Sequence, residues 1–159
     1  MDSDFFLIRR MKGGDENAIE LFVRKYYNDI LEYCWRHIYH REDAQDAAQE
    51  TFERFFKNFS GYVHQGKAKN YLYIIAGNVC KNYYRTADKL IREGIALAEL
   101  RGSPEEIPDT SMWEADRVGL KLDICRALRL LPEDLREVII LYYFQGLKLK
   151  EISQILQPA

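Results

Sequence analysis

The stretch EDAQDAAQETFERFF, residues 42–56, decides how this chain must fold. Placed on a helix, it gathers its small and large apolar side chains on one side: Ala44, Ala47, Ala48, Thr51, Phe52, Phe55 and, just beyond the stretch, Phe59. The other side carries acids at steps of three and four, flanked by a glutamine: Asp43, Asp46, Gln49, Glu50 and Glu53. The pattern predicts a helix over about 43–59 that ends at Ser60-Gly61 and lets a neighbour approach its small residues closely.

The acidic side of this helix has two interpretations. Like charges at such spacings repel by a few tenths of a kcal/mol per pair, so a purely structural helix would more often interleave lysine. Acids near a helix N-terminus gain from the helix dipole, however, which weakens that argument. The residues alone therefore leave open a solvated face or a contact with a basic protein surface.

The sequence on either side is also helical. Strand signals are nearly absent. The GGD at 13–15 predicts a stop followed by an Asp N-cap. The helix after it has one apolar stripe, made of Ile19, Phe22, Tyr26, Ile30 and Tyr33. Another helix is expected from near Lys69 to about Thr86.

The composition changes after residue 100. RGSPEEIPDTS, 101–111, has two prolines and three acids and no apolar period, which is typical of a linker. Helical patterns then resume over 113–130, from Pro132 to about Phe144, and over 149–156. The fold class predicted is all-α: two small helical domains, residues 1–100 and 113–159, joined by an acidic, proline-containing linker at 101–112.

Length and charge limit the function. The 159 residues carry a net charge of −2, and residues 57–101 alone are net basic, by +5. A basic segment between acidic ends suits a polyanion bound by that segment only, although a solvated basic helix gives the same count. No export signal or membrane span is evident, so a cytoplasmic location is expected.

Catalytic and metal chemistry is not expected. The three cysteines are scattered, and the spacings of three and six among Cys34, His37 and His40 put the two ends of this set on different faces of a helix. The acids lie in a row rather than converging, and no nucleophile–base pair or phosphate loop can be proposed. We therefore expect no enzyme activity, no metal and no cofactor.

The helix from Lys69 has one apolar side and one polar side. Its apolar side holds Leu72, Ile75, Ala76, Val79 and Tyr83. Its polar side holds Asn70, Asn78, Lys81, Asn82 and Arg85, preceded by Lys67 and Lys69 and interleaved with Tyr62, Tyr71, Tyr73 and Tyr84. Amides can bind base edges, cations can bind phosphates, and rings can stack on unpaired bases. An amphipathic surface helix with half-buried tyrosines is the alternative.

The motifs, taken in order, resemble one family. DAQDAAQETFERFFKNF, 43–59, is similar to the core-binding helix of bacterial sigma factors of the extracytoplasmic-function (ECF) type, and IRRMKGGDENAIELFVRKYYNDILEYCWRHIYHREDA, 8–44, resembles their first helices. NYLYIIAGNVCKNYYR, 70–85, resembles their promoter-recognition segment, and LPEDLREVIILYYFQGLKLKEISQIL, 131–156, the start of their second domain. The resemblance implies a promoter-directing subunit of RNA polymerase.

Site residues follow from this resemblance. The acidic helix would dock on the clamp region of the largest subunit of the RNA polymerase core through Asp46, Gln49, Glu50 and Glu53. The single-stranded minus-ten element of promoter DNA would be bound by Tyr62, Lys67, Lys69, Asn70, Tyr71, Asn78, Lys81, Asn82 and Arg85. The loop GYVHQGKAK, 61–69, would hold a flipped base. The family often has Trp where this chain has Tyr71.

The second domain has an incomplete helix-turn-helix pattern. KLKEISQIL fits the first helix of such a pair, and only Gln157, Pro158 and Ala159 follow it, so binding to a minus-thirty-five element is not expected. Exposed apolar positions are then expected among Val138, Leu141, Tyr142, Ile152, Ile155 and Leu156, which favours self-association or a partner helix. The resemblance also implies an anti-sigma factor as a partner. The alternative function is a truncated helical interaction module, a decoy or sequestered regulator without specific DNA binding.

Overall fold

A computed structural model describes residues 4–38, 40–62, 64, 68–92, 127–128 and 130–156, with side chains in the helix at 68–92 described as far as Tyr83. Regular structure in these residues is helical. The helices are α1 Asp4–Lys12, α2 Glu16–Ile38, α3 Arg41–Lys57, α4 Ala68–Arg92, α5 Glu133–Ile139 and α6 Leu149–Leu156. A 3-10 turn, Phe59–Gly61, follows α3, and a π-helical turn, Ile140–Phe144, follows α5.

Local chemistry sets the end of α1 and the starts of α2 and α3. Gly14 has a φ of 87°, a left-handed conformation that ends α1 and that a side chain would strain. Asp15 then caps α2, because its Oδ1 accepts hydrogen bonds from the amides of Asn17 (3.0 Å) and Ala18 (3.3 Å). The predicted Asp N-cap is therefore confirmed. His40 caps α3 in the same way, with Nδ1 accepting from the amide of Asp43 at 3.3 Å.

The first domain is built around three packed helices. The predicted apolar side of α3 is buried from Ala44 to Phe55, and its three alanines are 0% exposed, so α2 and α4 can approach it closely. The helix ends at Lys57, earlier than predicted, and Phe59 lies half-buried in the 3-10 turn that follows. The rings of Phe22 and Phe55 stack at 5.0 Å between centroids. Thr51 satisfies its buried hydroxyl by donating to the carbonyl of Ala47 at 2.8 Å. These contacts confirm the prediction that a neighbouring helix approaches the small residues of α3 closely.

The C-terminal helices pack against the first domain. α6 lies against α4, and the π-helical turn lies against α2. Exposure was wrongly expected for Leu141, Ile152 and Ile155, which are 0%, 3% and 5% exposed. They are covered because the second domain uses the first as its packing surface. Tyr142 and Leu156 are exposed, as expected, and Val138 is half-buried.

Boundaries in the second domain differ slightly from expectation. Pro132 stands at the N-cap rather than in the first turn, with helix α5 starting at Glu133. The helical run ends at Phe144 and Gly146 adopts a φ of 69°, as its position predicts. The linker, 101–112, lies outside the described residues. No helix in the described part of the chain has the length and apolar character needed to span a bilayer.

Candidate functional site

The acidic side of α3 faces solvent. Asp46, Gln49 and Glu53 are exposed, and Glu50 is partly so. Gln49 donates from Nε2 to Glu53 Oε1 at 3.0 Å, and Arg54 bonds Glu50 Oε1 at 2.7 Å. Glu50 is thus already paired with Arg54 within its own helix. We call Asp46, Gln49, Glu50 and Glu53 the acidic stripe.

A tyrosine of α4 lies beside the acidic stripe. Partial burial of Tyr83, together with the negative charges of Asp43, Asp46 and Glu50, raises the pKa of its phenol to about 12. A phenol so placed stays protonated at neutral pH and can donate a hydrogen bond. The sequence pattern predicts only that Tyr83 lies on the apolar side of α4, because its adjacency to the acids depends on how α3 and α4 cross.

The polar side of α4 is accessible in its middle. Asn78 and Asn82 are exposed, and Lys81 has a side-chain exposure of 45%. Lys69 is less available, because its Nζ lies 3.4 Å from Asp29 Oδ2 and over the ring of Tyr73. Asn70 is half-buried, with a buried Oδ1. Lys67 and the side chain of Arg85 lie outside the described residues.

The tyrosines near the start of α4 have different environments. Tyr62 is 9% exposed and packs its ring against Phe55, Phe59 and Tyr71, with centroid distances of 5.4, 6.0 and 5.2 Å. Tyr71 is half-buried and adjoins this cluster. Tyr73 is 0% exposed, so the expectation that its ring takes part in base stacking is wrong. The side chain of Tyr84 lies outside the described residues.

Between the domains lies a polar cluster that sequence analysis missed. Tyr33 donates its hydroxyl to Glu137 Oε2 at 2.8 Å, and His37 Nε2 lies 3.0 Å from Glu137 Oε1. Tyr73 donates to Gln145 Oε1 at 2.7 Å. We call Tyr33, His37, Glu137, Tyr73 and Gln145 the interdomain cluster. Its one signal in the sequence is Tyr33 and His37, four residues apart on the apolar side of α2.

Electrostatics hold Glu137 in its charged form. Burial by itself would raise the pKa of this carboxyl, but the charge of His37, hydrogen bonds from His37 and Tyr33 and the charge of Lys81 together lower the pKa below its ordinary value. Burial and the neighbouring carboxylate also raise the pKa of the Tyr33 phenol. The cluster is therefore a buried anion with fixed donors. Among the described residues, no group of three or more His, Cys, Asp or Glu side chains could hold a metal ion.

The sequence of this chain matches two family models and several known proteins. Residues 22–90 match the family model for sigma-70 region 2, and residues 121–157 match sigma-70 region 4. The chain is 28% identical to RNA polymerase sigma-H factor of Pseudomonas aeruginosa, over 98% of the chain and 83% of that protein. It is 30% identical to the ECF RNA polymerase sigma factor SigW of Bacillus subtilis, over 94% and 82%.

The fold agrees with these matches. The chain is similar to CnrH, solved in complex with the cytosolic domain of CnrY, with a TM-score of 0.74 at 18% identity over 99% of this chain and 85% of that one. The two matched regions define a sigma-70 type protein with two helical domains. Within that class, the chain belongs to the ECF sigma factors.

The general function of the chain follows from its membership in this family. It is a promoter-directing sigma factor for transcription initiation, and its partners are RNA polymerase core and promoter DNA. The family is not a class of enzymes. These matches do not favour the decoy alternative.

Proposed function

We propose that the acidic stripe of α3 docks on the clamp region of the largest subunit of RNA polymerase. The observation that carries this proposal is the exposure of Asp46, Gln49 and Glu53 on the helix whose other side forms the core of the first domain. A stripe on so rigid a support loses little conformational freedom on binding. Complementary charge then favours a basic surface on the partner.

The polar side of α4 is proposed to bind the single-stranded minus-ten element. Exposed Asn78 and Asn82 can bond base edges, and Lys81 can bond a phosphate. Half-buried Tyr71, the mostly buried Tyr62 beside it and the segment at 61–69, which runs into the start of α4, form the proposed position for a flipped base. Stacking of the base on one ring would contribute about 1–3 kcal/mol. Lys67, Lys69, Asn70 and Arg85 complete the proposed set, and Lys69 must leave Asp29 to reach a phosphate.

Binding of single-stranded oligonucleotides tests this site. We expect the chain with core polymerase to bind one minus-ten sequence at least about tenfold more tightly than its scrambled form, and Asn78→Ala to remove most of that difference. Asn58→Ala serves as the control, because Asn58 is an exposed amide at the end of α3 outside the proposed set. Equal affinity for both sequences would contradict sequence-specific recognition.

An anti-sigma factor is the proposed regulatory partner. The similar protein CnrH was solved with the cytosolic domain of CnrY. In this chain, a cleft of about 420 Å³ is lined by apolar side chains, namely Ala127, Leu128, Leu131, Ile139, Tyr143 and Phe144. An amphipathic helix suits such a groove. Co-expression followed by co-purification with a candidate partner tests this, and Ile139→Asp should weaken the complex while α3 variants keep it.

Three further proposals complete the account. The first domain spans residues 1–100 and the second 113–159, with the linker between them. The chain acts in the cytoplasm, where core polymerase is found.

Exposed Tyr142, Tyr143 and Leu156 support self-association at high concentration. Light scattering over a concentration series tests the last proposal, since a constant monomer mass would contradict it.

A further inference from the structure

The last residue of α1 reaches the segment proposed to hold a flipped base. Lys12 Nζ donates a hydrogen bond to the carbonyl oxygen of Tyr62, 50 residues later in the chain. The same ammonium group lies 5.8 Å from the centroid of the Phe59 ring, within the range of a cation–π interaction. Lys12 thus contacts both the start of the 3-10 turn after α3 and Tyr62, the residue at which the chain leaves that turn.

α1 is a rigid support for this lysine. Ile8 and Met11 are 3% and 4% exposed, and they hold the helix in the core of the first domain. The guanidinium of Arg10 pairs with Asp15 at 2.9 Å, which fixes the end of α1 to the start of α2. A hydrogen bond from a charged donor such as Lys12 is about twice as strong as a neutral one. The position of the carbonyl that Lys12 bonds is therefore set by the first helix of the chain.

Tyr62 passes this constraint on to two neighbouring rings. Its amide donates to the carbonyl of Phe59 at 3.0 Å, and its hydroxyl is hydrogen-bonded to His64 Nδ1 at 2.9 Å. Because Tyr62 is only 9% exposed, its own ring offers little surface to a base. The rings of Tyr71 and His64 are half-buried, and their centroids lie 5.2 and 5.9 Å from that of Tyr62. The place of Tyr62 therefore determines where these two more accessible rings lie.

We infer that Lys12 is a positioning residue for base recognition, which fixes the backbone at Tyr62 so that the rings of Tyr71 and His64 form a stacking surface before DNA binds. This rests on the proposed binding of the single-stranded minus-ten element to this part of the chain. Preorganisation raises affinity because fewer groups must be ordered on binding. A base stacked on such a surface contributes about tenfold or more in affinity.

An abasic scan measures what Lys12 does for base stacking. The probe is the single-stranded minus-ten oligonucleotide that the chain with core polymerase prefers, with each base in turn removed while its phosphate is kept. For the unmodified chain, we expect one abasic position to lower affinity by about tenfold or more, and Tyr71→Ala to abolish that loss. Lys12→Met keeps the length of the side chain and removes the donor. In this variant the same abasic position should cost less than about threefold, because the intact oligonucleotide has already lost the stacking contribution.

Three further variants serve as controls for Lys12→Met. Lys12→Arg keeps a charged donor at this position, so it should retain most of the tenfold abasic loss. Arg9→Met is the matched control, because it removes the same charge from an exposed position one turn earlier on α1. It should leave the abasic profile unchanged. Circular dichroism checks that each variant is folded, and Lys12→Gln replaces Lys12→Met in the scan if the latter folds poorly.

The outcomes separate this inference from the proposed function. If Lys12→Met weakens intact and abasic oligonucleotides by the same factor and lowers the salt slope by about 0.7, Lys12 binds a phosphate and the positioning role is refuted. If Lys12→Met keeps the abasic loss that Tyr71→Ala abolishes, the positioning role is refuted and the stacking site stands. If no abasic position lowers affinity and Asn78→Ala has no effect, the DNA site itself is refuted. A loss of the abasic effect in Lys12→Met that Lys12→Arg restores supports the inference.

Discussion

Reversing the charge of the acidic stripe should weaken polymerase binding strongly while leaving the fold intact. The double variant Asp46→Arg with Glu53→Arg changes two exposed acids of α3. Glu50 is left in place because Arg54 already pairs with it at 2.7 Å. Exposed charge pairs contribute about 0.2–1 kcal/mol each, and more when binding removes water around them. Each reversal loses an attraction and adds a repulsion.

The expected loss of binding free energy follows from the number of charges reversed. Two reversals at about 1–2 kcal/mol each cost about 2–4 kcal/mol, which is a loss of about 30-fold to 700-fold in affinity at low salt. The effect should shrink at about 0.5 M salt, where charges are screened beyond a few ångströms. Substitutions at exposed positions outside any buried network change stability by less than about 0.5 kcal/mol, so the melting curve should hold.

A binding titration of labelled chain with core polymerase provides the assay. The matched control is Glu16→Arg with Glu20→Arg, which reverses two exposed acids of α2 and changes the net charge equally. We expect the control to retain affinity within about threefold of the unmodified chain. Equal affinity of the α3 double variant and this control would refute the assignment of the acidic stripe.

Three other substitutions test separate parts of the account. Lys81→Ala should weaken binding to all single-stranded sequences alike and lower the salt slope by about 0.7, whereas Asn78→Ala should relax preference at one base; titrations at several salt concentrations check both. Gly77→Ala places a Cβ 3.2 Å from the Tyr33 hydroxyl, and denaturant titrations should show that it lowers the free energy of unfolding by about 1–3 kcal/mol. Gly61→Ala is the control, because its new methyl group meets open space. Folding lowers the pKa of Glu137, so the charged carboxylate stabilises the fold above the ordinary pKa of a glutamate, and this stabilisation is lost as the pH falls through the lower pKa of the folded state. The melting temperature of the unmodified chain should therefore fall more steeply with acid than that of Glu137→Gln.

The helices of the first domain could be predicted because each carries its own signals. The apolar side of α3 and the stripe of α2 repeat at helical spacing, and the stop at Gly14 and the cap at Asp15 are local. The accessible amides of α4, Asn78 and Asn82, follow from the same periodicity. Local pattern was sufficient wherever a residue's environment is set by its own helix.

The interface between the domains could not be predicted in this way. Tyr33 and Glu137 are 104 residues apart, and no periodicity relates them. Tyr73 and Ile155 were misassigned for the same reason: what covers each one comes from the other domain. Tyr83 likewise meets the acids of α3 only through the packing of two helices. Tertiary contact decides these positions.

The central claim is that this chain gives RNA polymerase promoter specificity, and selection of DNA from a random library tests it most directly. Core polymerase with the chain should enrich a shared motif about ten base pairs upstream of the transcript start. Asn78→Ala should reduce the base preference at one position of that motif. Core polymerase alone provides the baseline. If the chain binds core polymerase and yet enriches no motif over that baseline, the promoter-directing account is contradicted and the protein-only interaction module would explain the chain instead.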